Sequence, residues 1–558
     1  MMKTSKSILL SVIVLIAFTS FAISAYADDC AALGGSIIGG ECQIDTLENK
    51  TGSYSLDETL HILPNSYIDA KGAGITLNVD GDVMLDAGSK IKADDDAGAP
   101  NNPAFPITID ATGNLELNAN SAIKADNKRS GGNAGDITIN VDGNIHLKPF
   151  SNISATRPSS VGNAAGNGGN IDVNAGGNIN LDVNSVVSSA NFGGDAGDIS
   201  MTANGKIEVD GLVSAGSSNK VLSTKLTGFI LDRGNTEQRG GTITITSNSV
   251  VEPGIVVGEN AVIVSQGEDP ASDKIKLEAC GIVANGLVGS VSKKSNKPGN
   301  SPVVVLRSGT TIEINGQDLG DAGSSQGMVR ADYVIGETPR ANMVDLFANG
   351  KISVNGALSS NIFAVTSNGG TSTNQFGGTI RAISLADAIV SSAKAFQAKA
   401  TTAGSDGGKV NLSARSSVDV DTSTIEVPGD FNPSGGLGLG GKIDARSYSN
   451  DVSWFTGVGD VQPTGTGVAI SKRGTVNLTA CTTVDTTGTL FPSSGTPTVP
   501  GVLTSVCAPL APSLPANEEP LPLCEEPHQD IPEFTAITGA AAVLGALGYV
   551  FLLRRKKR

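Results

Sequence analysis

Histidine, cysteine and clustered carboxylates are the residues with which this chain could do chemistry, and they are few. There are three histidines, His61, His146 and His528, far apart in the chain. His146 alternates with Ile145 and Leu147, so it is expected to face outward from a strand. No Ser-His-Asp, Cys-His or paired-His constellation can be assembled from them at a spacing that catalysis or a metal would need. No catalytic residue, no metal site and no cofactor is therefore expected.

The six cysteines read as structural. Cys30 and Cys42 bracket AALGGSIIGGE, whose paired glycines suit a small hairpin, and in an exported chain a disulfide between them is expected. Cys280 (KIKLEAC) and Cys481 (TVNLTAC) share a phase of the repeat described below, yet six turns separate them. At strand spacing that is about 29 Å, beyond disulfide reach. Cys481 with Cys507 is the expected pair and Cys507 with Cys524 the alternative, leaving Cys280 and one other thiol free. No CxxC spacing supports zinc or thiol redox chemistry.

Carboxylates cluster at Asp80 and Asp82 and at Asp94, Asp95 and Asp96, where calcium could gather with backbone carbonyls. Solvated loop carboxylates are the expected outcome. The turns GGNAGD (131–136) and GGDAGD (193–198) resemble the calcium-binding GGxGxDxUx repeat. They carry Ala134 and Ala196 where that repeat has glycine, and their period is about 30 residues instead of nine. A structural turn is expected.

Those turns are the punctuation of a long repeat. Between Ser130 and Ala215 three copies run in series, each a Gly-rich turn, a short alternating strand, a Gly or Asn corner, a second strand, and a third run ending in Ser-Ala. First strands can be placed near Ile75, Ile107, Ile137, Ile171, Ile199, Ile243, Ile275, Val303, Val344, Ile380, Val410, Ile443 and Val476. In the third of these Ile137, Ile139 and Val141 share one face, while Thr138 and Asn140 share the other. One copy cannot bury its apolar face alone, but stacked copies can. The expected fold is all-β, a single-stranded right-handed parallel β-helix with three strands per turn. A β-sandwich array would want hairpin turns in place of a Gly-rich corner at fixed phase. The Asn residues beside the corners (Asn144, Asn178, Asn204, Asn349) suit left-handed backbone or amide stacking.

Composition limits the functions open to such a rod. Aromatic residues are 4% of 558, so sugar recognition by ring stacking has little to work with. The chain carries −16. Without the two lysines of its first segment and the net +4 of segment 531–558, the body carries −22. Such a body repels phosphate backbones, and nucleic acid is not an expected partner.

The ends address the chain. Lys3 and Lys6 precede an apolar run, and Ala25-Tyr26-Ala27 is a small-x-small pattern. Residues 1–27 read as a signal peptide cleaved after Ala27. Residues 28–74 then read as an N-terminal cap over the first repeat, and 75–487 as the β-helix. Residues 488–530 are Pro-rich without periodicity and read as an extended stalk, its glutamates held off anionic head groups. Residues 531–558 hold Pro532, Glu533 and Phe534, nineteen largely apolar residues (Thr535–Leu553) and a basic end, Arg554–Arg558. The apolar stretch is about 28 Å long as a helix, enough to span a bilayer, with the basic cluster cytoplasmic.

Pro-Glu-Phe, hydrophobic helix and basic end together resemble the PEF-CTERM sorting tail, the archaeal relative of the bacterial PEP-CTERM signal. The resemblance covers the segment 531–558 alone. It implies an archaeosortase or exosortase-like membrane enzyme as partner, cutting near Pro532, Glu533 and Phe534 and passing the body to a lipid or other surface anchor. A plain transmembrane anchor is the simpler alternative; both leave the body outside and tethered. Sequons at Asn49, Asn152, Asn411 and Asn477 are glycosylation candidates.

The body itself resembles the filamentous-haemagglutinin type of repeat in secreted adhesins, through GGDITI-like first strands, GNI-x-L second strands and Ser-Ala ends. The match is good from Ile75 to Asp210 and loose beyond, and the secretion domain of that family is not evident. It implies surface adhesion, with surface polysaccharides or envelope proteins as ligands, and gives no residue to carry over. Polysaccharide lyases and hydrolases are also β-helices, and the best place for a substrate groove here is the insertion Ser217–Gly241, around Arg233. A structural or adhesive role is the primary expectation and a carbohydrate-active enzyme the alternative.

Overall fold

Alternation of buried and outward residues at period two decides the architecture. The strand Ile137–Val141 buries Ile137, Ile139 and Val141 and turns Thr138 and Asn140 outward. The same pattern holds in the strands Ile107–Ala111, Ile171–Ala175, Ile199–Ala203 and Ile243–Ser247. Each pairs in parallel and in register with its counterparts in the turns before and after it, so Ile109, Ile139, Val173, Met201 and Ile245 form one buried file. The structure is a computed structural model. It describes residues 29–485 apart from 71–72, 95–102, 128–131, 158–165, 192–193, 217–238, 268–273, 293–301, 316–328, 335–341, 357, 360–361, 364–377, 392–395, 399–406, 421–423, 427–440, 455–457 and 461–474, and then 504–505 and 511–524.

Among the described residues the strands fall into three sheets of 16, 15 and 15 members, and the chain visits the three in rotation. The first sheet holds three-residue strands such as Ile145–Leu147, the second the longer strands of the repeat signature, and the third strands such as Asn152–Ser154. Their inward faces meet in one continuous core of Ile, Val, Leu and Ala running from Cys30 to Ala480. A typical turn contributes Ile137, Ile139, Ile145, Leu147 and Ile153, none more than 1% exposed. Each side chain so buried is worth about 1.5–3 kcal/mol, but only because the turns above and below supply its contacts.

The parallel pairing begins before the repeat signature does. Glu41–Ile44 pairs with Thr59–Ile62, and Gly52–Leu56 with Ile75–Val79, so the turn pattern already runs through much of the expected cap. The non-repeating part is the short helix Cys30–Leu33 and the strand Ser36–Ile38, which forms an antiparallel hairpin with Glu41–Ile44. Gly39 and Gly40 close that hairpin with φ of +66° and +87°, the doubly left-handed turn that matches strand twist. A disulfide joins Cys30 to Cys42, their Cα atoms 5.5 Å apart, and Leu33 is buried against the first turn.

The Gly-rich corners are explained by backbone stacking. A Cβ on Gly169 would stand 2.0 Å from the carbonyl oxygen of Gly135, and one on Gly197 would stand 2.1 Å from that of Gly169. Only glycine lets successive turns approach so closely. At the corner before the third strand, Asn65, Asn120 and Asn184 take left-handed backbone, and Phe150 occupies the same position with φ of +64°. The left-handed asparagines are thus not the ones singled out beside the earlier corner.

Residues up to Pro522 form one unit; of the second, Leu523–Arg558, only Leu523 and Cys524 are described. Among the described residues no helix is long and apolar enough to cross a membrane. The expected signal peptide with Ala27, the motif Pro532, Glu533 and Phe534, and the apolar stretch Thr535–Leu553 lie outside the described residues.

Candidate binding faces of the repeats

The outward faces of the first two sheets present rows of polar side chains at strand spacing. On the second sheet one row runs Thr76, Thr108, Thr138, Asp172, Ser200 and Thr244. The adjacent row runs Asn78, Asp110, Asn140, Asn174, Thr202 and Thr246. Within the second row Asn140 Nδ2 donates to Asp110 Oδ1 at 2.7 Å and Asn174 Nδ2 to Asn140 Oδ1 at 2.9 Å. Parallel strands put neighbouring members about 4.8 Å apart, and i, i+2 spacing puts the rows about 6.6 Å apart. The result is a lattice of hydroxyls, amides and carboxylates.

The first sheet carries a shallow groove of about 410 Å³, lined by Asp82, Met84, Asn114, Glu116, Asn144 and His146 among others. Its floor is an amide ladder: Asn114 N donates to Asp82 Oδ1 at 2.6 Å, Asn144 N to Asn114 Oδ1 at 2.8 Å, and Asn178 N to Asn144 Oδ1 at 2.8 Å. Each side-chain oxygen satisfies a backbone N–H of the next turn, which is why Asn or Asp recurs at this phase. His146 faces outward with Nε2 3.1 Å from Asp182 Oδ1, and Lys148 is ion-paired with Glu116. With its amides and carboxylates turned to solvent, the groove offers hydrogen bonds.

The carboxylates of the Gly-rich turns do similar structural work. Asp136 Oδ1 accepts from Asn170 N at 2.7 Å, Asp198 Oδ1 from Thr242 N at 2.7 Å, and Asp195 Oδ1 from Arg239 N at 3.0 Å. Asp80 accepts from the Thr112 hydroxyl at 2.9 Å, and buried Asp94 from Asp126 N at 3.2 Å. Asp126 in turn accepts from Thr156 N, Thr156 Oγ1 and Ser154 Oγ, and burial pushes its carboxyl above the ordinary range. Among the described residues, one group of His, Cys, Asp and Glu ligand atoms lies close enough together to hold a metal. It is Cys30, Cys42 and Glu58, and its two sulfurs are joined in the disulfide.

The remaining residues named from sequence are dispersed. His61 bridges Glu41 and Asp86 at 3.1 and 3.0 Å, drawing the Glu41 carboxyl below its usual value through the hydrogen bond. Asn49 is exposed, whereas Asn152, Asn411 and Asn477 are half-buried within strands, and Asn477 Nδ2 donates to Asp444 at 2.7 Å. Of the insertion Ser217–Gly241 the structure describes Arg239 to Gly241, and Arg233 and Cys507 lie outside the described residues. Cys280, expected as a free thiol, is disulfide-bonded, as are Cys481 and Cys524. The surface beside Cys280 is not open either.

A Pro-rich segment covers it. Residues 511–522, part of the expected stalk, lie on the second sheet's outer face, where polar rows give way to Val305, Phe347 and Ile383. Leu514 and Leu521 pack on these three. Glu518 and Glu519, expected as stalk glutamates held off anionic head groups, meet cations of the sheet: Arg307 Nη1 donates to Glu518 Oε2 at 3.0 Å and Lys276 Nζ to the largely exposed Glu519 Oε2 at 3.4 Å. Arg307 Nη2 donates to the carbonyls of Glu519 and Pro520, and the Arg307 side chain is 2% exposed. Arg381 grips Asp345 with two hydrogen bonds of 2.9 and 2.6 Å and lies 3.8 Å from Glu518. Periodicity in the segment gives no sign of this docking; the one available cue is the run of apolar residues at outward phase in three successive strands.

No protein-family model, no curated protein and no solved structure matches this chain.

Proposed function

We propose that the chain is the precursor of a surface-anchored, right-handed parallel β-helix protein with a structural or adhesive role in a cell envelope or matrix. The observation that carries this reading is the pair of Thr, Ser, Asn and Asp rows on the second sheet, repeated over six successive turns. A face of that kind offers many weak, equivalent hydrogen bonds to an extended hydroxyl-rich polymer. Its binding strength comes from simultaneous engagement, without dependence on one deep site. The groove beside His146 adds amides and carboxylates at the same repeat distance.

The sequence ends support the surface location. A small-x-small signal before Asp28 would export the chain, and a PEF-CTERM-like tail would hand it to an archaeosortase or exosortase-like enzyme or hold it in the membrane. The −22 body disfavours nucleic acid and anionic polymers as ligands. The test is a panel of neutral and acidic polysaccharides, with retention of protein and new chain ends followed together. Retention without new chain ends supports the reading. Turnover on any polymer would replace it with the carbohydrate-active enzyme.

A further inference from the structure

One aromatic ring stands at a corner that suits asparagine. The corner between the first and third sheets has a left-handed residue, which is Asn65, Asn120 and Asn184 in three turns and Phe150 in a fourth, at φ of +64°. Asparagine tolerates that backbone, whereas a bulky side chain rarely takes it. The Phe150 ring is also 59% exposed, so burial does little to offset the strain. Phe347 and Phe396 are fully buried, and of the large apolar side chains that the described residues leave exposed, Phe150 is the one aromatic. Strained backbone that brings so little packing points to a contact outside the chain.

The surroundings of the ring define what it can meet. Asn120 and Asn184 hold the same position in the turns before and after, about 4.8 Å away along the rod, and both are exposed. Pro149 precedes the ring, and Val183, 39% exposed, takes the place of Pro149 in the next turn. This apolar area is about the size of one ring, far below the roughly 800 Å² that a stable protein partner covers. Four residues before Phe150, His146 lines the first-sheet groove in a column with Met84, Glu116 and Asn180. Lys148, between the two, is ion-paired with Glu116 and donates to Asn118 Oδ1 at 2.8 Å. Glu116 and Asp182 disfavour an anionic ligand at this place.

We propose that Phe150 is the stacking platform of a sugar subsite on the rim of that groove, taking one pyranose unit of a neutral polysaccharide. A pyranose ring has an apolar face of C–H groups and a rim of hydroxyls. The face fits a single exposed aromatic ring, and the hydroxyls fit the amides of Asn120 and Asn184 on either side of it. Neighbouring units of the polymer reach toward His146 and Asn180 in the groove. The subsite rests on the adhesive reading above and assigns to it a neutral sugar and one aromatic contact.

The experiment measures retardation of the full chain by soluble β-glucan, mannan and galactan in gels that contain the polymer, beside its thermal unfolding. Phe150→Asn is expected to weaken binding to the retarding polymer about tenfold, the size of one aromatic contact, while melting no earlier than the unaltered chain. Phe150→Trp is expected to keep the affinity. Unchanged affinity in Phe150→Asn, or an equal loss in Phe150→Trp, would overturn the subsite and leave the adhesive reading standing. A chain that none of the three neutral polymers retards also overturns the subsite, and the acidic members of the panel then decide the adhesive reading.

Discussion

The outer face of the second sheet has two halves that share a register and differ in everything else. In the column that runs Asn78, Asp110, Asn140, Asn174, Thr202 and Thr246, the residues are polar and bond to one another along the file. The same column continues through Glu278, Arg307, Phe347 and Ile383, where it lies under a Pro-rich segment. The inward faces of the two halves are alike, built from Ile, Val, Leu and Ala. The core therefore fixes the fold, and the outward residues decide what the surface does with it. The first half keeps its polar residues partly exposed, and the second is covered by a segment of the chain itself.

Substitutions within one column break this comparison most sharply. Phe347→Ala removes a fully buried ring and should cost about 3–5 kcal/mol of stability, read by thermal or denaturant unfolding. Asn140→Ala in the same column should cost about 1 kcal/mol, since it loses hydrogen bonds that water replaces. Comparable losses would mean that the two faces are not distinct.

The next effect concerns the turns that make the lattice regular. Gly169→Ala drives a methyl into the carbonyl of Gly135 and should destabilise by more than about 2 kcal/mol. Gly216→Ala meets its nearest atom at 3.4 Å and serves as the near-neutral control. On the covered half, Glu518→Gln removes the charge between Arg307 and Arg381. Proteolysis within residues 511–522 should then accelerate about tenfold, the size of a charged hydrogen bond.

Two smaller effects lie in the same turns as the polar rows, at the corners flanking the third sheet. Burial raises the pKa of Asp126, so its ionised form is disfavoured in the folded chain and favoured in the unfolded one. Stability contributed by its protonated form is present below the ordinary carboxylate range and is lost as pH rises through the raised value. Asp126→Asn should flatten that decline in a series of unfolding curves. Phe150→Asn, at a left-handed corner where three other turns have asparagine, should stabilise by about 0.5–1 kcal/mol.

What the sequence made legible was what repeats. The phases of Ile107, Ile137, Ile171 and Ile199 and the glycines before them are visible because each turn imposes the same backbone approach and the same buried face. The pairing of Glu41–Ile44 and Gly52–Leu56 was hidden because those strands lack the Gly-rich corner that marks the later turns. The docked segment was hidden for another reason. Its partners Arg307, Phe347 and Ile383 belong to three successive turns and become one surface only when the register is known.

The central claim is that the uncovered half binds an extended polymer through its repeated face. The direct measurement is affinity for a hydroxyl-rich ligand, taken from the panel above, as a function of ligand length. Binding is predicted to strengthen steeply with each added unit until the ligand spans the six polar turns, about 24 Å from first to last, and then to level off. Affinity that is already maximal for a mono- or disaccharide would place recognition in one pocket and contradict the claim.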